Sequence, residues 1–339
     1  MVEQTFIKIL MGKYNDIWLK TGYVTEDLPQ GIDLVKEITA LKKEKNAVIM
    51  AHYYQKSEIQ DIADFIGDSL ALAQLATTID ASVILLAGVY FMGETAKILC
   101  YDKKVIVPDL NAGCSLADSC KADEFESFVK NYPNHTVVTY VNTSAAVKAL
   151  SDIVVTSSNA MKIIDSIPVD KPIIFGPDRN LGNYINSKTG RNMLLWDGAC
   201  HVHEKFSVEK ILDLKNEYPN AKLLAHPECK KPVLLLADYT GSTAALLSYS
   251  KKDDCNEFLV ATESGIIHQM KKNSSGKTFI PVPPLDSTCG CNDCEFMKLN
   301  TLEKIYLSLK HEFPLVEVNE ITRKKALIPI NRMLEISAK

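Results

Sequence analysis

The stretch AVIMAHYYQ (residues 47–55) is a short apolar run that ends in a cluster of polar residues. The same pattern returns in TVVTYVNTS (136–144) and AKLLAHPEC (221–229), and successive starts lie 89 and 85 residues apart. Each run is rich in Val, Ile and Leu without clean alternation, which is typical of a strand that is covered on both faces of a parallel sheet. The regular spacing indicates an internal repeat.

Two more sets of apolar runs follow at matching places in each repeat. The second set begins 35 or 36 residues after the first and consists of SVILLAGVYFMGETA (82–96), KPIIFGPDRNLG (171–182) and EFLVATESGIIHQM (257–270). The third set consists of KVIVPDLNAGC (104–114), NMLLWDGAC (192–200) and KTFIPVPPLD (277–286). Between the runs lie segments that start with polar capping residues and continue with good helix formers, namely DSLALAQLA (68–76), SAAVKAL (144–150) and GSTAALLSY (241–249).

Strands and helices therefore alternate along each repeat, which is the order of a parallel α/β unit. We predict an α/β fold of three pseudo-symmetric three-layer αβα domains, with parallel sheets around a central active site. The predicted parts are an N-terminal helical extension (1–31), three α/β repeats (32–120, 121–206 and 207–294) and C-terminal helices (295–339) that pack back on repeat 1. A single large doubly wound sheet is the alternative.

Composition excludes several classes of protein. The chain has 339 residues, of which 46% are hydrophobic and 24% charged, so it is long enough to form a large core. A net charge of −4 gives no basic signature of nucleic-acid binding. The longest uncharged apolar run, residues 83–92, is too short to span a bilayer, and the N-terminus has no signal-peptide pattern. We expect a cytoplasmic protein without nucleic-acid or membrane partners, whose nine cysteines are reduced.

Polar residues follow the first apolar run of every repeat. They are His52, Tyr53, Tyr54 and Gln55 in the first repeat, Tyr140, Asn142 and Thr143 in the second, and His226 and Glu228 in the third. Ligands of parallel α/β sheets bind beyond the carboxyl ends of the strands. If the repeats surround an axis, we expect these side chains to converge on one central cavity.

One cysteine per repeat falls at an equivalent place. Cys114 and Cys200 follow third runs and lie 86 residues apart, and Cys294 closes the segment CGCNDC 94 residues beyond Cys200. Three thiolates from three domains suit an iron–sulfur cluster with one iron left free, because thiolate is the soft ligand that clusters select. Other interpretations stay open, which are zinc bound by Cys291, Cys294 and His201 or His203, buried thiols without metal, and a redox-active Cys291–Cys294 pair.

The cysteine-rich segment is also compatible with a function of another class. CGCNDC (289–294) could stabilise a redox-sensing binding protein, without catalysis, through zinc or a disulfide. Four further cysteines fall outside the repeat pattern, and we interpret them as ordinary thiols: Cys100, Cys120, Cys229 and Cys255.

Eleven motifs in a fixed order and spacing give the chain a specific resemblance. They are AHYYQ, GDSLALA, PDLNAGCSLAD, TYVNTSAAVKA, SDIVVTSSNA, FGPDRNLG, GACHVHEKF, AHPEC, ADYTGSTAALL, ATESGIIHQM and CEFMKLNTL. Over residues 31–301 the sequence resembles the NadA family of quinolinate synthases. The resemblance implies three pseudo-symmetric domains around a central site, and a [4Fe–4S] cluster that is held by Cys114, Cys200 and Cys294.

The resemblance also implies a reaction. The family condenses iminoaspartate with dihydroxyacetone phosphate to quinolinate, with loss of phosphate and two waters, as a step of NAD biosynthesis, and the free iron acts as a Lewis acid. An aspartate-oxidising enzyme that supplies the imine is a further partner that the resemblance suggests. Family members commonly carry proline after the last ligand, whereas this chain has Glu295. Cys291 remains beside Cys294, and we hypothesise a disulfide between them when the cluster is lost.

Such chemistry needs groups that bind two carboxylates and one phosphate. His52 and His226 are candidate donors to the carboxylates, although a single histidine can equally be a packed core residue. Four residues lie at or near predicted helix starts, where free N–H groups bind anions or the side chain simply caps the helix: Ser69, Ser157, Ser242 and Thr243.

Proton transfer needs catalytic acid–base groups, and the candidates are Tyr54, Tyr140, His226 and Glu228. A tyrosine hydroxyl can relay a proton, and Glu228 can remove one if burial tunes its pKa. His203, three residues after a ligand, can support the cluster or the substrate. With the family motifs TYVNTS and HPE, the predicted substrate-binding set comprises His52, Ser69, Tyr140, Val141, Asn142, Ser157, His203, His226, Pro227, Glu228, Ser242 and Thr243.

Overall fold

Three parallel sheets of the same topology form the protein, of which the computed structural model describes residues 16–285 and 292–338. The first sheet has the spatial order β2-β1-β3-β4, with β1 (Ala47–His52), β2 (Phe65–Gly67), β3 (Val83–Ala87) and β4 (Lys104–Ile106). The second has the order β6-β5-β7-β8, with β5 (Thr136–Tyr140), β6 (Ile153–Val155), β7 (Ile173–Gly176) and β8 (Leu194–Leu195). The third has the order β10-β9-β11-β12, with β9 (Lys222–Ala225), β10 (Tyr239–Thr240), β11 (Glu257–Ala261) and β12 (Thr278–Pro281).

Helices occupy the connections between the strands and both ends of the described chain. They are α1 (Asp16–Thr21), α2 (Leu34–Glu44), α3 (Ser57–Ile62), α4 (Ser69–Ala76), α5 (Tyr90–Leu99), α6 (Ser115–Asp118), α7 (Ala122–Lys130), α8 (Ala145–Lys148), α9 (Ala160–Ser166), α10 (Arg179–Thr189), α11 (His201–Glu204), α12 (Val208–Glu217), α13 (Lys231–Leu236), α14 (Thr243–Lys252), α15 (Ile266–Asn273), α16 (Glu295–Lys298), α17 (Leu302–His311) and α18 (Glu320–Ala338). This architecture confirms the predicted α/β fold of three αβα domains. The three sheets lie within the predicted repeats, whose precise boundaries stay predictions.

The strand registers define equivalent positions in the three units. At the carboxyl ends of the two central strands, the paired residues are Ala51 with Ala87, Thr139 with Gly176, and Ala225 with Ala261. The loops that follow these pairs therefore begin at the same place on each sheet.

Each sheet contains one strand more than the apolar runs predicted. The additional strands β2, β6 and β10 have only two or three residues and pair at one edge of their sheets. A segment this short cannot show the periodicity from which strands are recognised. The connections between the first and second runs therefore contain a helix, an edge strand and a second helix, rather than the single helix that we predicted.

The central strands are buried on both faces. In β3, Ile84 and Leu86 pack into a core that also contains Phe175 of the second unit, whereas Leu85 packs on the opposite side with Ile305 of α17. Burial of both faces explains why the run shows no alternation of apolar and polar residues. Within the described residues, no helix has the length and apolar character needed to cross a membrane.

The C-terminal helices pack on two units. Helix α17 lies against α2 and β3 of the first unit, where we expected the whole segment to pack. The longer α18 instead lies mainly against β6, α8 and α9 of the second unit, and it also contacts α5 of the first. The segment therefore joins the two units that share the largest core.

A substitution of Gly93 in α5 can test how tightly the C-terminal segment packs on the first unit. A Cβ at Gly93 would lie 2.5 Å from Val107 Cγ2 and 3.0 Å from Val316 Cγ2. Alanine favours a helix over glycine by about 1 kcal/mol, but overpacking costs about 1–3 kcal/mol. We therefore expect Gly93→Ala to lower the free energy of unfolding by about 1 kcal/mol, seen as a lower urea midpoint. Gln74→Ala on the exposed face of α4 should leave the midpoint unchanged, and a higher midpoint for Gly93→Ala would contradict the packing argument.

Candidate active site

The carboxyl ends of the three sheets surround one cavity, which contains about 720 Å³ of space between the protein atoms, part of it open to solvent. The three predicted cysteine ligands line it, as do ten predicted catalytic and substrate-binding residues, namely His52, Tyr54, Ser69, Tyr140, Asn142, Ser157, His203, His226, Glu228 and Thr243. Val141, Pro227 and Ser242 of the same predicted set are not among the residues that line it. The Val141 N–H donates to the Val155 carbonyl at 2.8 Å, and Ser242 Oγ caps α14 by accepting the Ala245 N–H at 3.3 Å.

Strand ends place the principal side chains. His52 is the last residue of β1, Tyr140 is the last residue of β5, and His226 directly follows β9. These are the equivalent first strands of the three units, so the fold brings together residues that lie 86 to 174 positions apart in sequence. The cavity therefore lies where parallel α/β sheets place their ligands.

A continuous chain of hydrogen bonds runs along the cavity and joins the three units. The Tyr140 hydroxyl donates to Glu228 Oε1 at 2.5 Å, and Glu228 Oε2 lies 3.0 Å from His203 Nδ1. His203 Nε2 lies 3.0 Å from Thr262 Oγ1, which is 2.7 Å from the Tyr54 hydroxyl. Phenol, carboxylate and imidazole groups can each pass a proton, so the chain links the predicted acid–base residues.

Glu228 is ionised although its side chain is buried. Burial alone would raise the pKa of the Glu228 carboxyl, but the adjacent imidazoles of His203 and His226 and hydrogen bonds from His203 and Tyr140 hold that pKa below its usual range. Burial also raises the pKa of Tyr54 and Tyr140 well above the usual value, so both phenols stay protonated. Glu228 therefore carries a buried negative charge beside neutral hydroxyl groups.

The two histidines at strand ends are neutral. Burial lowers the pKa of His52 to about 4 and that of His226 to about 3. His52 Nδ1 accepts the Tyr54 N–H at 3.1 Å, and His226 Nδ1 lies 3.4 Å from the Glu228 N–H. Because Nδ1 is the acceptor in both rings, the proton of each neutral imidazole lies on Nε2. His226 Nε2 lies 3.3 Å from Ser157 Oγ.

Each predicted cysteine ligand is the N-cap of a four-residue helix. Cys114 precedes α6, Cys200 precedes α11 and Cys294 precedes α16. Backbone N–H groups at the start of these helices favour the thiolate form of each sulfur. The thiols thus occupy matching positions in the three units at one cavity.

These thiols need a positive charge in order to ionise. Burial raises the pKa of Cys114 to about 12 and that of Cys294 to about 11, and it raises the pKa of Cys200 well above the usual thiol value. A metal centre supplies the missing charge and deprotonates its cysteine ligands. The three partly buried thiols therefore fit a metal cofactor better than they fit free reactive cysteines.

Comparison with known proteins identifies the family. The sequence profile of the quinolinate synthetase A protein, NadA, matches residues 36–335. The chain belongs to the NadA family. A protein named quinolinate synthase from Thermosynechococcus vestitus is 58% identical over 309 residues, which cover 91% of this chain and 97% of the relative. A quinolinate synthase from Synechococcus sp. is 57% identical over 322 residues, which cover 95% of this chain and 100% of the relative.

A second set of ligands in this NadA chain could hold a single metal ion. Ligand atoms of Cys200, His203 and Glu228 all lie within 4.8 Å of one another, and Cys200 Sγ is 3.2 Å from His203 Nδ1. Cys200 belongs both to this set and to the three thiols. The donor atoms therefore suit a metal cofactor in two arrangements, either as one ion or as a thiolate-bound cluster.

The other described cysteines lie away from the cavity. Cys100, Cys120 and Cys229 are buried, and Cys255 is half-buried. Cys229 directly follows Glu228, but its thiol lies 3.4 Å from the Ala261 carbonyl oxygen, on the core side. Cys289 and Cys291 fall outside the described residues, and so do the predicted Cys291–Cys294 disulfide and the zinc site that would use Cys291.

Glu295, which stands where NadA proteins commonly carry proline, is compatible with its position at the start of a helix. Glu295 is the exposed first residue of α16. Proline is favoured at the first position of a helix, and an acidic residue is favourable near a helix N-terminus as well. The substitution therefore leaves the turn that carries Cys294 intact.

Sequence reasoning missed several residues of the NadA site. Asp68, Ser115, His201 and Glu263 line the cavity, and Thr262 is the central link of the hydrogen-bond chain. A signal was available for Thr262 and Glu263, because they are the polar pair that directly follows the apolar residues 258–261 of β11. The strand-end rule was applied only to the first runs, so it selected neither residue.

The remaining missed residues join neighbouring units. Asp68 caps α4 by accepting the Ala71 N–H at 2.9 Å, and it also accepts the Ser158 hydroxyl at 2.6 Å. Ser115 Oγ lies 2.6 Å from His201 Nδ1, which connects the turn after Cys114 with the turn after Cys200. These links depend on contacts between units, which no local pattern predicts.

Proposed function

We propose that this chain is a quinolinate synthase, an iron–sulfur enzyme that condenses iminoaspartate with dihydroxyacetone phosphate to quinolinate and releases phosphate and two waters. The observation that carries the proposal is the meeting of three thiols, one from each unit, with a buried chain of tyrosine, glutamate and histidine at one cavity. The names of the relatives and the family membership support it.

A [4Fe–4S] cluster is the cofactor that we propose for Cys114, Cys200 and Cys294. Three thiolates leave one iron without a protein thiolate, and the soft donor set suits iron–sulfur chemistry. When bound, the cluster supplies a Lewis-acidic iron that polarises an oxygen of the substrate. The buried side chains of Phe91 and Met92 add apolar wall to the cavity, which limits the access of water.

Neutral donors bind the substrate carboxylates. His52 and His226 each present a protonated Nε2, and Ser157 adds a hydroxyl beside His226. Asn142 contributes an amide from the loop after β5. Hydrogen bonds to an anion are stronger than those between neutral groups, so this set can hold a carboxylate without a cationic side chain.

The start of α14 is the better of two candidate phosphate sites. Ser69 and Thr243 are the first residues of α4 and α14, and both line the cavity. Free N–H groups at a helix start bind anions. The cap of α4 is the carboxylate Asp68, which repels an anion, whereas the cap of α14 is the neutral Ser242.

Glu228 and the two phenols manage the protons of the reaction. The ionised Glu228 removes a proton from bound substrate, and the Tyr140 hydroxyl that donates to it returns one. His203 and Thr262 connect Glu228 to Tyr54, so a proton taken on one side of the cavity can leave on the other. The condensation and the two dehydrations need several proton transfers. The groups that we propose for them come from all three units.

The substrates indicate where the protein works. Iminoaspartate is an unstable imine, so we propose that an aspartate-oxidising enzyme supplies it close to this protein. Quinolinate leads to NAD, and we place the enzyme in the cytoplasm as part of NAD biosynthesis.

Metal analysis of the anaerobically purified protein tests the proposal. We expect brown protein with about four iron and four sulfide ions per chain. The same sample should form quinolinate from iminoaspartate and dihydroxyacetone phosphate, and its EPR or Mössbauer spectrum should change when quinolinate is added. Colourless protein with one zinc ion per chain and no quinolinate formation would contradict it.

That contrary result would support a second candidate, which the Cys200, His203 and Glu228 group favours. In this case a single zinc ion stabilises a redox-sensing binding protein without catalysis. The two candidates differ in metal, colour and activity, so one preparation separates them.

A further inference from the structure

A carboxylate occupies the same position behind the cysteine turn in two of the three units. The registers pair Ala87, Gly176 and Ala261 with the ends of their neighbouring strands at matching places. Two residues further along the chain, the units therefore carry Val89, Asp178 and Glu263 at equivalent positions. Asp178 and Glu263 have fully buried side chains, and neither belongs to the acid–base chain described above.

Glu263 holds the turn that carries Cys294. Its Oε1 accepts the backbone N–H of Cys294 at 3.2 Å, and its Oε2 accepts the Gly265 N–H at 2.7 Å. Lys298, at the end of α16, forms an ion pair with Glu263 Oε1 at 2.6 Å and donates to the Tyr54 carbonyl at 2.8 Å. The carboxylate thus ties the cysteine turn to β11 and to the loop after β1.

Asp178 lies in the corresponding place beside Cys200. Its Oδ1 caps α10 by accepting the Leu181 N–H at 2.8 Å. The next residue, Arg179, donates its N–H to the Gly198 carbonyl at 2.8 Å, so the segment that leads to Cys200 runs directly alongside. Burial and the neighbouring Glu228 raise the pKa of the Asp178 carboxyl well above its usual value, and Oδ2 has no hydrogen-bond partner among the described residues.

The first unit supports its cysteine by other means. The side chain of Val89 has no polar atom. The loop before Cys114 is held instead by the hydrogen bond from the Tyr90 N–H to the Ala112 carbonyl at 2.7 Å. Asp109 in this loop is buried, accepts the Asn111 N–H at 2.8 Å and pairs with Lys304 of α17. A buried carboxylate therefore lies near each cysteine turn, but only Asp178 and Glu263 occupy equivalent positions in their units.

An electrostatic effect on the thiols does not explain why Asp178 and Glu263 lie beside them. A negative group beside the thiols works against thiolate formation, because like charges repel at close range. Lys298 offsets the charge of Glu263, whereas Asp178 has no comparable contact. Their favourable contribution must then come from the backbone N–H groups that they hold.

We infer that Asp178 and Glu263 are positioning residues: Glu263 holds the backbone of Cys294, and Asp178 fixes the start of α10, against which the segment that leads to Cys200 lies, so that both thiols face the same metal centre. The inference rests on the proposed function, because it concerns the ligands of the proposed cluster. Outer-shell groups of this kind typically change metal affinity by about 10- to 100-fold when they are removed. The cluster should therefore be held less tightly when either carboxylate loses its acceptor oxygen.

Two double variants isolate the acceptor at Glu263. Glu263→Gln/Lys298→Met keeps an oxygen for the Cys294 N–H, whereas Glu263→Leu/Lys298→Met has none, and both lack the ion pair. The measurement is the rate at which the anaerobically reconstituted full chain loses its brown colour to an iron chelator. We expect the leucine variant to lose its cluster about 10- to 100-fold faster than the glutamine variant.

Asp178→Ala makes the same test in the second unit, with Asp178→Asn as its partner variant. Alanine removes the oxygen that accepts the Leu181 N–H, whereas asparagine still caps α10 through one oxygen. We expect Asp178→Ala to lose its cluster about 10-fold faster than Asp178→Asn. Asp213→Asn, an exposed change on α12, is the matched control and should not differ from wild type.

Three results decide the matter. Equal rates in the two double variants, together with equal rates in Asp178→Ala and Asp178→Asn, would overturn the inference. Faster loss would also speak against positioning if the thermal midpoints of the cluster-free proteins fell in parallel, whereas we expect midpoints within about 3 °C of wild type. Wild-type protein without iron and sulfide would instead reject the proposed function, which the iron analysis of the starting sample detects separately.

Discussion

The Cys294→Ser variant should lose nearly all of the iron of the proposed cluster and, with it, the formation of quinolinate. Cys294 is the N-cap residue of α16 and presents its thiol to the cavity that Cys114 and Cys200 also line. Serine is of similar size and suits the N-cap position, but its oxygen is a hard and weakly acidic ligand that clusters do not select. We expect the loss of iron affinity to exceed the roughly 100-fold that outer-shell changes produce. Iron and sulfide analysis after anaerobic reconstitution measures it.

Two other cysteines provide matched controls for this change. Cys100 is buried against the Ala76 carbonyl oxygen in the core of the first unit, so Cys100→Ser alters a buried thiol away from the cavity. Cys289 belongs to the same CGCNDC segment as Cys294 and lies outside the described residues. Both serine variants should keep their iron. Loss of iron in Cys289→Ser, together with retention in Cys294→Ser, would transfer the ligand role to the neighbouring cysteine.

The fold was predictable because its central strands are long and apolar enough to stand out. β1, β3 and their counterparts have four to six residues and are buried on both faces, and their regular spacing showed the repeat. The edge strands β2, β6 and β10 could not be found in this way, since two or three residues carry no period. The packing of α18 could not be predicted from the sequence either, because it depends on which unit has a face that no other element covers.

The site was predictable as far as strand ends could be located. His52, Tyr140 and His226 follow from one rule applied to three runs, and the cysteines follow from the repeat spacing. Glu263 was missed because its importance lies in contacts with Cys294 and Lys298, which are 31 and 35 residues further along the chain. A sequence pattern shows the type and spacing of side chains. It does not show hydrogen bonds between units, because these depend on how the units pack together.

Glu228→Gln should lower kcat by about 100- to 10,000-fold and leave the iron content of the protein unchanged. Glutamine has the shape of glutamate and keeps an oxygen for the Tyr140 hydroxyl. It carries no negative charge, cannot accept a proton near neutral pH, and turns an amino group toward His203 Nδ1, which lies 3.0 Å away in the native chain. Steady-state kinetics of the reconstituted protein, with iron measured on the same samples, tests both parts.

The split between KM and kcat identifies the role of Glu228. The proposed substrates are anions, and the change removes a negative charge from the cavity, so KM should stay constant or fall while kcat drops. Glu217→Gln, an exposed change at the end of α12, should alter neither value. If Glu228→Gln instead lost its iron, Glu228 would act as a metal ligand, as its grouping with Cys200 and His203 allows. A kcat within about threefold of wild type would remove Glu228 from the chemistry, since a general base contributes at least about 100-fold.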